Sequence, residues 1–111
     1  MGERFSLRRL DVLEAKCLRI AYLEENFPSL LSAARTDLFY TQLYLGQQAL
    51  LCPDKTTRRI SFQLLNSAQK KYPLRKEDLS ALSLTYKVWA TLAQFSLPLT
   101  CCLRNYLKIG G

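Results

Sequence analysis

Four prolines, Pro28, Pro53, Pro73 and Pro98, punctuate a chain that has only four glycines, and between them the apolar residues fall in long stretches. A proline cannot continue a helix from its interior and restricts the residue before it, so these positions act as separators. Long apolar-rich segments with few turn residues favour helices over short alternating strands. At 111 residues, 49% of them hydrophobic and 23% charged, the chain has the composition of one folded domain rather than of a disordered tail. The expected architecture over residues 1–111 is a single all-α domain: a bundle of four main helices with a short basic C-terminal helix.

The first helix is expected over about Leu7 to Glu25, capped by Ser6 and preceded by an apolar Phe5, with Leu10, Leu13, Cys17, Ile20 and Leu23 on one face. Pro28 suits the first turn of a second helix reaching about Leu51. That helix is apolar most of the way round, which belongs in the middle of a bundle. Its two charges, Arg35 and Asp37, are expected at an exposed edge. Pro53 and Asp54 then introduce a third helix over about Lys55 to Lys71, with Ile60, Leu64, Ala68 and Tyr72 as its stripe and Leu65 beside them. A fourth, from about Lys76 to Phe95, carries Leu79, Leu82, Tyr86, Trp89 and Ala93 at packing intervals. Pro98 interrupts, and a last short helix is expected from about Leu99 to Ile109.

The net charge of +7 is unevenly placed. Residues 1–54 hold six Lys and Arg against seven Asp and Glu, whereas residues 55–111 hold ten against two, about −1 and +8. Arg58, Arg59, Lys70, Lys71, Arg75, Lys76, Arg104 and Lys108 are the residues expected to meet an acidic partner or an anionic membrane surface. The sixteen uncharged residues between Lys87 and Arg104 are too few to span a bilayer and include Gln94, Ser96 and Pro98. Closing the helical core is their favoured role. An interfacial one would use Trp89, Phe95 and Tyr106.

Chemistry is sparse. Without histidine no Ser-His or Cys-His pair can form, and Cys17, Cys52, Cys101 and Cys102 show no C-x-x-C spacing, so they read as reduced packing residues. The adjacent acids Glu24-Glu25 and Glu77-Asp78 lie next to predicted turns, where solvation or helix N-termini account for them. No Gly-rich phosphate loop or D-x-D metal site is present. The expectation is no catalytic residue, no cofactor and no metal in this chain. "TTRRISFQLLNSAQKK" could pass for a basic recognition helix, but no helix-turn-helix turn precedes it, so nucleic acid is the least favoured partner.

"FSLRRLDVLEA" followed by "YLEENFPSLLSAA" resembles the segment after the catalytic domain in many bacterial family 2 glycosyltransferases. The likeness covers residues 4 to about 50. It rests on Phe5, Ser6, Leu10, Asp11, Leu13, Ala15, Leu23, Asn26, Phe27, Pro28, Leu30 and Leu31, the Phe-Ser and Asn-Phe-Pro steps above all. Such enzymes transfer sugar from a nucleotide donor to a cell-surface polysaccharide or lipid-linked acceptor. The resemblance implies a non-catalytic C-terminal helical module that packs on a catalytic domain in cis, self-associates, or positions the enzyme at a membrane. The first twenty residues are too regularly charged for a signal peptide, and the expected compartment is the cytoplasm, with the inner membrane face as a contact. A free-standing helical interaction module is the alternative. It would leave no unpaired apolar patch on its first helix.

Overall fold

The computed structural model describes residues 7–107, and all of its regular elements are helices. A 3-10 turn over Leu7–Leu10 leads into α1 (Asp11–Asn26), and a second over Pro28–Leu30 into α2 (Leu31–Leu50). There follow α3 (Lys55–Lys71), α4 (Lys76–Ala81), α5 (Leu84–Phe95) and α6 (Leu97–Tyr106). The expected cap Ser6, its neighbour Phe5, and Lys108 and Ile109 lie outside the described residues.

Three helices, α3, α5 and α6, start on a short polar side chain that satisfies an otherwise unpaired backbone amide. The Asp54 carboxylate accepts from the Thr56 amide at 3.3 Å and from the Thr57 hydroxyl at 2.6 Å. Ser83 accepts from the Tyr86 amide at 3.4 Å, and Ser96 from the Leu99 amide at 3.2 Å.

Those serines correct two expectations. The fourth helix is not continuous from Lys76 to Phe95: Ser83 caps α5, and Leu82, extended and buried, separates it from α4. Pro98 does not delay the last helix either, because it occupies the first turn of α6, where its missing N–H costs nothing. The inward set on α4 and α5 survives the break, with Leu82, Trp89 and Ala93 buried and Leu79 and Tyr86 packed against them.

α2 runs through the middle, as its all-round apolar character requires. Ten of its twenty residues are buried, and it packs against α1, α3, α4 and α6. On α1 the face of Leu10, Leu13, Ile20 and Leu23 is buried, with Cys17 packed at its edge. α3 is turned relative to expectation. Ser61, Phe62, Leu65 and Ala68 face the core and Leu64 is exposed, because the larger Phe62 ring takes the space beside Gly46 on α2.

Gly46 lets α2 and α6 approach closely. A Cβ there would overlap Cys101 Sγ of α6 and stand 3.4 Å from Phe62. Cys101 is fully buried and its thiol donates to the Leu43 carbonyl at 3.7 Å, so it has little room to move.

Arg35 is the largest departure from the sequence reading. It lies in the core instead of at an exposed edge, with Nε 2.7 Å from Asp78 Oδ2 and Nη2 2.9 Å from Glu77 Oε1. Both expected acids do lie in the first turn of α4, Glu77 exposed there, but Asp78 is fully buried rather than solvated. Asp78 also accepts from the Ser32 hydroxyl and, at 2.9 Å, from the Arg75 amide. Asp37, half-exposed, pairs with Lys16 of α1.

Burial alone would raise the Asp78 pKa, but hydrogen bonds from Arg35, the Arg75 amide and Ser32 outweigh it and hold the carboxyl below its ordinary value. A carboxyl depressed in this way stabilises the fold above the unfolded pKa, and that contribution is lost as pH falls through the folded one. Acid titration of the unfolding free energy should therefore show a loss of stability below about pH 4. Asp78→Asn should cost about 3 kcal/mol at neutral pH and flatten that acid limb, because it leaves a buried guanidinium without its main partner.

Gly46→Ala should lower the urea midpoint by the equivalent of about 1–3 kcal/mol, the usual cost of overpacking. In a Cys101→Ala background the same change should be neutral or stabilising, since alanine is the better helix former by about 1 kcal/mol.

Candidate binding surfaces

Three features of the surface are large enough to bind something: a cleft, a basic half and an apolar helix face. The cleft, of about 660 Å³, opens between the end of α3, the 72–75 linker and the α5–α6 corner, with α2 behind it. Phe39, Tyr72, Leu74, Leu97 and Pro98 give it apolar walls. Gln42, Asn66, Gln69, Gln94 and Lys70 are the main polar groups that line it. Gln69 braces the walls, donating from Nε2 to the Ala93 carbonyl at 3.0 Å and so tying α3 to α5. Gln42 is different: it is only 2% exposed, and its Nε2 has no hydrogen-bond partner among the described residues.

Of the eight basic residues singled out in the sequence, the seven among the described residues do not form one patch. Lys70 is exposed and lines the cleft, whereas Lys71, its neighbour, lines a smaller groove between α1 and α3 together with Leu10, Cys17 and Leu64. Burial raises the Cys17 thiol pKa there, partly offset by Lys71. Arg59 is exposed on α3, and Arg58 is half-buried with its guanidinium donating to the Cys52 carbonyl. Arg75 and Lys76 are exposed at the start of α4. Of this half's two acids, Asp78 is buried against Arg35, while Glu77 meets the same guanidinium from an exposed position.

Arg104 is the exception and corrects the expectation of a surface contact. It is buried against α2, with Nε donating to Gln47 Oε1 at 2.8 Å. Its guanidinium lies 5.3 Å from the Trp89 ring and 5.8 Å from the Tyr86 ring, a stack of cation on aromatic faces. Tyr86 in turn meets Tyr40 edge-on at 4.8 Å. Among the described residues no carboxylate pairs with Arg104. Trp89 is accordingly a core residue, while Phe95 and Tyr106, more than 80% exposed, point away from it.

The apolar face lies on α1, opposite its core side. Leu18 and Tyr22, one turn apart, are 65% and 58% exposed, and Tyr22 packs its ring 6.3 Å from that of Phe27. Phe27 and Leu30 extend this patch into the turn before α2, where each is half-exposed.

Cys101 is chemically inert, since burial pushes its thiol up to about 12, while Cys102 beside it is exposed. Among the described residues no group of His, Cys, Asp and Glu could hold a metal ion, and no helix is long and apolar enough to cross a membrane. The sequence reading missed Gln42. The signal was a lone amide at an inward position of an apolar helix, between Leu38, Phe39 and Leu43. No protein-family model, no curated protein and no solved structure matches the chain.

Proposed function

We propose that this chain is a non-catalytic helical docking module, and that its partner is the catalytic domain of a family 2 glycosyltransferase acting on a polysaccharide or lipid-linked acceptor. The observation that carries the reading is the exposed apolar patch of Leu18, Tyr22, Phe27 and Leu30. A helix that lies on its own core with one face has no internal use for a second apolar face, and contiguous exposed apolar surface is characteristic of interaction sites. A free-standing bundle would leave that outer face polar. The patch lies inside the stretch that resembles the glycosyltransferase segment, and Phe27 and Leu30 belong to the resemblance itself.

A second reading is favoured by a separate observation. Phe95 and Tyr106 are nearly fully exposed in the basic half, an arrangement suited to anionic head groups.

The docking reading is tested at three levels. The DNA upstream of Met1 is expected to encode a nucleotide-sugar-binding α/β domain with a D-x-D motif, and the purified 111 residues are expected to transfer no sugar. The double variant Leu18→Glu, Tyr22→Glu should keep its helical content and melting temperature, because both sites are exposed. Its affinity for that domain should drop at least tenfold. Turnover by the isolated chain, or unchanged affinity, would overturn the reading. For the second reading, co-sedimentation with phosphatidylglycerol vesicles should weaken as salt rises and be lost in Phe95→Ser, Tyr106→Ser.

A further inference from the structure

The cleft is separate from the α1 face and carries its own chemistry. Its volume of about 660 Å³ lies within the range of small-molecule sites. The hydrogen bond from Gln69 to the Ala93 carbonyl ties α3 to α5 at its wall, and a rotation of the Gln42 side chain, whose Nε2 is buried, brings the amide to a bound molecule.

Gln42 gives the cleft its first requirement. The side chain is withdrawn from water and its Nε2 finds no acceptor among the described residues, a state that costs free energy unless something supplies one. Leucines and a phenylalanine occupy the neighbouring inward positions of α2, so an apolar residue would suit the bundle better. An oxygen acceptor on a bound molecule would satisfy the amide. Charge supplies the second requirement. Among the residues lining the cleft there is no Asp or Glu, and Lys70 is the sole ionised group. The aromatic and proline walls set the third, an apolar body that packs on Phe39, Tyr72 and Pro98.

We propose that the cleft binds a small organic anion with an apolar body and a second, neutral oxygen acceptor: the acceptor bonds to Gln42 Nε2, the carboxylate pairs with Lys70, and the apolar group lies between the rings. N-acylated aromatic amino acids have this constitution. The carboxylate stays at the wet mouth, where its desolvation is small, and only the neutral carbonyl goes to the buried amide.

N-acetylphenylalanine is the probe, and NMR shift titration of the full chain is the measurement. It should bind with a Kd on the order of 1 mM, as expected for so small a ligand, and shift the Gln42 side-chain amide and the backbone amides of Ala93 to Leu97. 3-Phenylpropionate, which lacks the acceptor, and N-acetylphenylalanine amide, which lacks the charge, should each bind about tenfold more weakly. Phenethylamine should not bind. Gln42→Leu should erase the difference between the probe and 3-phenylpropionate, and Lys70→Ala the difference between the probe and its amide. Shifts absent from the cleft, equal binding of phenethylamine, or discrimination that survives both variants would overturn the proposal. Because the readout is confined to the cleft, a failed α1 docking experiment leaves it standing, and its failure leaves the docking reading standing.

Discussion

The ion pair between Arg35 and Asp78 links the centre of the bundle to its least self-sufficient part. α4 is six residues long, too short to be stable by itself, and it follows a linker that contains a proline. What fixes it is one carboxylate that serves two purposes. It takes the guanidinium from α2 across 43 positions of sequence, and it accepts from the Arg75 amide at the start of α4. Through Arg75 the pair also anchors the 72–75 linker, and through the linker it shapes one wall of the cleft. The same pair withdraws one of the second half's two acids from the surface, where Glu77 remains exposed.

The second polar element in the interior works by another principle. Among the described residues no carboxylate pairs with Arg104, which is held by amide and aromatic groups: Gln47 at its Nε, Trp89 and Tyr86 at its planar faces. Asn105 extends the arrangement, donating to the Gln47 carbonyl at 3.0 Å and accepting from its side chain at 3.2 Å. On α6 these bonds lie one turn beyond Cys101, which packs on Gly46 of α2. The seam between the two helices is therefore close-packed through a glycine at one level and hydrogen-bonded at the next, which fixes both their separation and their register.

How much of this was legible follows from what periodicity can encode. The all-α class, the separators at Pro28, Pro53 and Pro73, the inward face of α1 and the central place of α2 are local properties, each carried by residues within one helix or turn. The inward sets on α4 and α5 were visible for the same reason, while the break at Leu82–Ser83 was not, because a serine inside an apolar stripe looks like any tolerated helix residue until its hydroxyl is seen to cap Tyr86. Arg35 and Arg104 were read as surface charges because a charged residue alone favours water, and the partners that stabilise their burial lie on other helices; Asp78 was placed near a helix start, but its burial was not visible for the same reason. Leu64 was assigned to the core and Phe62 was not, because spacing admits either face and the choice is made by the gap opposite Gly46. Of the cleft, Lys70 was singled out for its charge and Gln42 was overlooked, since a lone amide has no periodic signature.

The joints between helices differ in length, and the shortest is a single residue. Ser96 is the last position outside α5 and the cap of α6, in an extended backbone conformation with φ −161° and ψ 110°. No slack exists there to absorb a change in chain length. One residue added within the first turn of α6 would rotate everything after it by about 100° and carry Cys101 and Arg104 away from α2. Natural variants of this fold should therefore gain and lose residues in the 51–54 and 72–75 segments while keeping the number between Trp89 and Cys101 constant, so that the interval itself, more than the identity of any residue in it, is a signature by which distant relatives can be sought.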